Sequence, residues 1–334
     1  MGAKSELEVD GRILSVSNLE KVLYPEAGFT KANIIDYYIR IAPVLLPHLQ
    51  NRPITLKRYP DGVNGFFFYE KQCPAHRPKW VKTTRVASSG EREHIDYCVM
   101  NDLPSLVWAA NLADLELHTF LHRGPKLTQP TALAFDLDPG APADIVQCCQ
   151  VGLWLKEVFD GFGLKSFPKT SGSKGLQVFV PLNTATNYEK TKTFAHELAQ
   201  QLEREHPDEI VSKMQKSLRP GKVLIDWSQN DDHKTTINVY SLRAKAQPTV
   251  STPVTWKEVE AALKHRDASR LIFDSEKVLR RVAKLGDLFE PVLKLKQKLP
   301  KLTQGEPGKS KAAKGRNLEA RKPGGKKKQM SRGA

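Results

Sequence analysis

Cysteine is scarce: Cys73, Cys98, Cys148 and Cys149 are the only four in 334 residues. So few do not make a disulfide framework, and a reducing interior would keep them as thiols. No run of eighteen apolar residues occurs, which excludes a hydropathy-defined membrane helix. The opening MGAKSELEVDGR has no apolar signal region. Gly2 followed by Ser5 loosely matches a myristoylation pattern, but the serine is one place early and no membrane-facing helix follows. A soluble cytoplasmic protein with no membrane partner is expected. Acidic residues are also in short supply, 37 against 52 Lys and Arg, for a net charge of +15. A balance of that sign suits polyanionic partners. Apolar residues make up 40% of the chain, enough for a buried core.

The excess charge is unevenly placed. Residues 301–334 hold eleven Lys or Arg against Glu306 and Glu319, leaving 41 basic and 35 acidic residues in the first 300. That segment lacks apolar periodicity and cannot bury enough surface to fold alone. It reads as a disordered basic arm for phosphate backbones or as a solubilising tail. One cysteine spacing admits a metal: Cys73-x-x-His76 and His94-x-x-x-Cys98 together offer two sulfurs and two nitrogens to a structural zinc. Each half is degenerate, and the Pro-rich stretch between them reads as surface loop.

Periodicity organises the rest. Residues 30–50 show helical spacing, with Ile34, Ile35, Tyr38, Ile41 and Ala42 on one face and Thr30 as N-cap. ITLKRYPDG reads as a strand entering a turn, 103–114 as a helix, and LELHTF as a strand with Glu116 and His118 on one face. Strands are expected at 131–138, 175–182 and 222–228, helices at about 145–160 and 187–206, and two or three amphipathic helices over 255–295. This mixture indicates an α+β or mixed α/β domain.

Two strands carry the chemistry. In TALAFDLDPG, Leu133, Phe135 and Leu137 alternate with Ala134, Asp136 and Asp138, so two carboxylates share a face and repel unless cations sit between them. In KVLIDWSQN, Asp226 interrupts an apolar strand. Three strand-borne aspartates are the ligand set expected for two divalent ions that activate a 3′-hydroxyl and stabilise a leaving pyrophosphate. Between them Thr170-Ser171-Gly172-Ser173-Lys174-Gly175 supplies glycines, hydroxyls and one cation suited to an anion, though not in Walker A order. Arg243 in YSLR can clamp a phosphate.

The order FDLDPG, SGSKGLQVFVPL, KVLIDWSQN and YSLRAKAQPTVSTPVTW resembles the polymerase domain of bacterial ligase D and its stand-alone relatives, in the archaeo-eukaryotic primase superfamily. LSVSNLEKVLYPEAGFTKANIIDYY, RPITLKRYPDGVNG and FFFYEKQCPAHRPKWV extend the resemblance over roughly 12–295. It implies an α+β primase-polymerase fold, two β-sheets with flanking helices. Residues 1–11 then form an N-terminal extension, 12–295 the catalytic domain and 296–334 a basic tail.

The same resemblance assigns roles. Asp136, Asp138 and Asp226 are similar to the metal-binding, catalytic aspartates, with manganese or magnesium as the two ions. Ser171 and Lys174 fall in the family's phosphate loop, Arg243 matches the arginine on the incoming triphosphate, and His118 a histidine near the nucleotide's sugar and phosphates. Lys21 and Lys31 match a pair that recognises a DNA 5′-phosphate. Phe68 and Tyr69 match template-stacking aromatics, while Phe66 and Phe67 fit a buried strand equally well. The chain departs from the family at Gln177, where a histidine is usual. Implied partners are gapped or broken DNA, nucleoside triphosphates with a ribonucleotide preference, Ku and a DNA ligase, which would place the protein at the nucleoid. A non-catalytic end-binding module and a de novo primase are the rival readings.

Overall fold

The computed structural model describes residues 4–88, 90 and 93–301; the expected arm beyond them and Gly2 lie outside the described residues. The chain opens with the antiparallel hairpin β1 (Lys4–Val9) and β2 (Arg12–Ser17), so most of the segment read as an extension is paired strand. A second small pair, β3 (Val22–Tyr24) and β4 (Phe29–Thr30), leads into α1 (Lys31–Leu49). Thr30 caps α1 in a reciprocal capping box with Asn33. Ile34, Ile35, Tyr38, Ile41 and Ala42 are buried on one side of that helix, as their spacing predicts.

The first sheet gathers β5 (Pro53–Arg58), β6 (Phe68–Glu70), β7 (Lys82–Ala87), β8 (His94–Val99) and β9 (Asp114–Thr119), with α2 (Leu103–Asn111) between the last two. Its order is completed by β15 (Thr236–Ile237) beside β9, then β5, β8 and β7, with β6 on β5. The stretch read as loop around the cysteines thus contains a β-hairpin. Cys73 and Cys98 are joined in a disulfide, with Cα atoms 4.9 Å apart. This corrects two expectations, free thiols and a possible zinc. Both sulfurs are consumed by each other, which leaves no thiolate for a metal. Cys148 and Cys149 are free and buried.

The second sheet consists of β10 (Ala132–Pro139), β11 (Phe167–Thr170), β12 (Leu176–Pro181), β13 (Ile210–Val211) and β14 (Val223–Asp226), in the order β11-β12-β10-β14-β13. Leu133, Phe135 and Leu137 face its core with α3 (Ile145–Gly161) and α4 (Tyr188–Glu205), while Ala134 and Phe179 belong to the core shared with the first sheet. The strand expected over 222–228 is shorter than read. It stops at Asp226, whose carboxylate accepts from the Ser228 amide and starts a 3-10 turn over Trp227–Gln229. Three helices, α5 (Trp256–His265), α6 (Ser275–Leu285) and α7 (Glu290–Lys294), close the fold as the amphipathic pattern of 255–295 implies. The architecture is α+β with two principal sheets and flanking helices. No helix among the described residues is long and apolar enough to cross a membrane.

Candidate active site

Antiparallel register sets the centre of the site. Lys169 on β11 pairs with Gln177 on β12, Gln177 with Asp136 on β10, and Asp136 with Asp226 on β14. The four residues form one row across the second sheet. Asp138 lies two residues along β10, on the same face. A cavity of about 370 Å³ opens over the middle of this row, without Lys169 or Asp226, and over β9, and it brings together Tyr69, His118, Asp136, Asp138, Ser171, Lys174, Gln177 and Arg243. Residues far apart in sequence therefore share one pocket with both carboxylates of the D-x-D pair.

Asp136 is half-buried, and its Oδ1 is sealed from solvent with no hydrogen-bond partner. Burial first, then the negative charges of Asp138 and Asp226, push its pKa up to about 7, against the opposing influence of Gln177 and Lys169. Asp138 is raised too, by burial, with Lys174 the main opposing charge and Asp226 adding to the rise. An orphaned oxygen beside two carboxylates that resist ionisation fits a hard divalent cation, which takes oxygen ligands and would restore both charges. Asp226 is engaged otherwise. Its Oδ1 accepts from the Ser228 amide at 2.9 Å and the Ser228 hydroxyl at 2.5 Å, and its Oδ2 accepts from Gln229 at 3.0 Å. It is thus a neighbour of the other two without converging on them.

The loop before β12 is tied in place rather than open. The Ser171 hydroxyl accepts from the amides of Ser173 (3.2 Å) and Gly175 (3.1 Å), so those amides converge on a side chain of the loop. Gly172 has φ +69°, and a Cβ there would lie 2.6 Å from the Val250 carbonyl carbon, so the left-handed turn and the close approach both require glycine. Arg243 Nη1 donates to the Ser171 carbonyl at 2.6 Å, and Lys174 Nζ to the Pro139 carbonyl at 3.1 Å. Both cations therefore border the cavity beside Asp138.

Arg243 is oriented by Glu116, whose importance the sequence did not reveal. Glu116 is almost fully buried on β9 and accepts from His118 Nε2 (2.9 Å), Lys57 Nζ (3.3 Å) and the Ala244 amide (3.0 Å). Arg243 Nε lies 3.2 Å from Oε1, the oxygen that accepts from Ala244, as an ion-pair contact without a hydrogen bond. Burial alone would raise this carboxyl, but His118, Arg243 and Lys57 outweigh it and hold it far below the usual carboxylate range. His118 is lowered by its own burial, partly offset by Glu116, and so favours the neutral ring. A lone acid at an inward position of an apolar strand was the available signal for Glu116. Lys169, missed likewise, is completely buried, donates to the Ser251 hydroxyl at 2.6 Å, and is pulled down to about 7 by burial despite Asp136.

Gln177 is buried and lines the cavity, but its amide donates to the Thr236 hydroxyl at 3.2 Å and its Oε1 has no partner. Tyr69 reaches the pocket and meets His118 edge-on at 5.9 Å between centroids, whereas Phe68 does not line it. Phe66 and Phe67 are exposed, which sets aside the buried-strand reading for them. Phe66 stacks on Phe68, and Lys57 lies over Tyr59, Phe67 and Tyr69, so the aromatic stretch is a solvent-facing platform held by cations. Lys21 and Lys31 stand together elsewhere. Lys31 is buried and donates to the Ser17 carbonyl (2.7 Å) and Asn111 Oδ1 (3.3 Å), while the more exposed Lys21 pairs with Asp61 at 3.1 Å. Burial first, then the nearby charges of Lys21 and Arg58, lowers the Lys31 pKa.

Residues 30–289 match the family model described as LigD, primase-polymerase domain. The chain is 40% identical over 280 residues to the multifunctional non-homologous end joining protein LigD of Mycolicibacterium smegmatis, covering 83% of this chain and 36% of that protein. It is 39% identical over 303 residues to the corresponding protein of Mycobacterium tuberculosis H37Rv (87% and 38%), and 32% identical over 277 residues to the bifunctional LigD of Bacillus subtilis (83% and 43%). The chain thus spans about two fifths of the length of these curated relatives. Among solved structures, the polymerase domain from Mycobacterium tuberculosis ligase D in complex with DNA superposes with a TM-score of 0.77 at 39% identity, covering 84% of this chain and 98% of that one.

Proposed function

Because the chain belongs to the LigD primase-polymerase domain family, we propose that it is a template-dependent nucleotidyltransferase that extends a primer 3′ end, filling gaps and extending broken ends in non-homologous end joining. The observation that carries this reading is the single cavity in which Asp136, with its orphaned oxygen, and Asp138 face Lys174, Arg243 and the Ser171 loop. Carboxylates alone would bind a cation, and cations alone a phosphate; their juxtaposition suits a metal-bound triphosphate.

Asp136 and Asp138 would hold manganese or magnesium, and Asp226 would complete the set after leaving its bonds to Ser228. When bound, the ions supply positive charge to the attacking and leaving oxygens of phosphoryl transfer. Lys174 and Arg243 bind the triphosphate, with Arg243 aimed by Glu116. His118, neutral and with its Nε2–H given to the same carboxylate, keeps Nδ1 as an acceptor for a sugar hydroxyl. Gln177 presents only its buried amide to this space. Tyr69 and Phe68 offer stacking faces to the template, and Lys31 with Lys21 takes a 5′-phosphate across a gap. On this reading residues 12–295 are the catalytic domain, 1–11 its flanking extension and 296–334 a basic tail. Ribonucleotide preference, Ku and a DNA ligase as partners, and a place at the nucleoid belong to the same proposal. A primer-extension assay on a 5′-phosphorylated gapped duplex, with each metal and with ribo- and deoxynucleotides in turn, tests it. Template-matched addition is expected; DNA binding without addition under any metal would leave an end-binding module instead, and primer-free synthesis a primase.

A further inference from the structure

A second cavity, of about 490 Å³, lies where the turn after β9 meets the segment after β12. Arg123, Lys126, Asn51, Gln129, Asn183 and Thr184 line it, and no acidic side chain does. Arg123 is half-buried, its Nε has no hydrogen-bond partner, and no carboxylate among the described residues offsets its charge. Behind it sits Arg52, fully buried, donating to the carbonyls of His48, Phe120, Leu121 and His122 and to the Thr131 hydroxyl. Arg52 also has only dipoles for company, and Arg123 and Arg52 repel each other. Two buried or half-buried guanidiniums without a counter-ion are costly unless an anion completes them.

The cavity wall is fixed in advance. The Gly124 amide donates to the Asn51 carbonyl at 2.5 Å and the Lys126 amide to the Arg123 carbonyl at 2.9 Å. A Cβ at Gly124 would fall 2.7 Å from Thr84 Oγ1, so the turn packs against its neighbours. Asn183 donates to the Val292 and Leu295 carbonyls, and Thr184 to the Gln297 carbonyl, which anchors the opposite wall. Arg123 thus borders a shaped space whose charged lining residues, Arg123 and Lys126, are both cations.

We propose that this cavity is a phosphate subsite, holding a backbone phosphodiester of the nucleic-acid strand engaged at the active site. The assignment rests on the functional reading above for its occupant. Five residues separate His118, in the first cavity, from Arg123 in the second. At about 3.3 Å per residue they span at most ~17 Å, a reach of about five base steps at 3.4 Å each. A strand paired at the carboxylates is therefore long enough to reach the second cavity within that distance. A free phosphate or pyrophosphate has the same chemistry and is the alternative source.

The experiment compares wild type with the Arg123→Gln/Lys126→Gln double variant on a fluorescent gapped duplex over a salt series. Loss of two phosphate contacts should weaken binding about tenfold and flatten the logarithmic salt slope by about 1.4 to 1.8. A scan of single neutral methylphosphonates along the template should reveal one position, within about five steps of the templating base, that weakens wild type but not the variant. Arg123→Lys, which keeps the charge, should recover most of the affinity, and thermal melting checks that each variant is folded. Unchanged salt slopes, or no distinguishing methylphosphonate position, overturn the subsite. Loss of pyrophosphate binding with an unchanged DNA slope overturns it in favour of a free-anion site. Wild-type protein that shows the subsite signature yet adds no nucleotide would instead refute the polymerase reading and leave the subsite standing.

Discussion

Glu116 on the first sheet, buried behind His118 and Arg243, and Asp136 on the second, half-buried in the cavity those two residues line, are both carboxylates drawn from water, yet their surroundings drive them apart. Glu116 is surrounded by His118, Lys57, Arg243 and a backbone amide, and stays ionised to very low pH. Asp136 has an oxygen with no partner and two aspartates for neighbours, and takes up a proton near neutrality. Burial is common to both; the partners decide. A carboxylate with its cations built in is part of the scaffold, and one left without them marks the place where a ligand must bring the charge.

Neutralising each acid in turn tests that contrast. The largest effect should be on turnover. Asp136→Asn or Asp138→Ala should cut nucleotide addition on the order of 10³-fold or more, since a metal ligand supplies several kcal/mol of transition-state stabilisation. DNA binding should persist, and a variant extending primers at near wild-type rate would remove both aspartates from the chemistry.

Stability should respond in opposite directions. Glu116→Gln leaves Lys57 and Arg243 without their shared counter-charge, at a cost of about 3–5 kcal/mol at pH 7. Because the Glu116 pKa is depressed on folding, its contribution is present above the ordinary glutamate range and is lost as pH falls through the folded value. The deficit of the variant should therefore narrow in acid. Asp136 has the opposite sign. Its raised pKa makes the metal-free protein lose stability as pH rises from the ordinary aspartate range to about 7, with the full penalty above that. Metal-free Asp136→Asn should thus melt a few degrees higher than wild type at pH 8, by roughly 1–2 kcal/mol, and match it near pH 4. Thermal melts in chelator across pH measure both, and shifts of the same sign would dissolve the contrast.

Smaller effects separate the peripheral cations from the central ones. Lys21→Ala with Lys31→Ala should weaken binding only to gaps carrying a 5′-phosphate, by about tenfold. Equal losses on hydroxyl ends would make them general backbone contacts. Gln177→His should be the mildest change. The residue sits between Lys169 and Asp136 and is already bonded to Thr236, so a ring there gains little access to phosphates. Nucleotide KM should improve by about threefold at most, chiefly below about pH 6.5 where an unperturbed imidazole charges. Identical KM profiles from pH 6 to 8 would show that position 177 does not reach the triphosphate.

Local pattern and family resemblance together made much of this legible in the sequence. Alternation in TALAFDLDPG put Asp136 and Asp138 on one face, and helical spacing gave α1 and its buried stripe, because both depend on periods of two and 3.6 that a chain carries in itself. The Cys73–Cys98 bond was not legible, since it depends on the segment before β7 packing back on β8, where the Cys73 amide donates to the Asp96 carbonyl. The end of β14 at Asp226 was missed for a related reason: a side-chain cap by that aspartate competed with the strand and won.

The sequence by itself determined which residue types were available for phosphoryl transfer, the faces they occupy on their own strands, and the excess of positive charge that suits nucleic acid. Only the tertiary structure decided which of them are finished and which are waiting. Glu116 meets Arg243 across a separation of 127 positions, and Arg123 meets no acid among the described residues, because registry between strands and the packing of distant turns set those distances. Electrostatic energy depends on separation and burial in space, and neither quantity is carried by order along the chain.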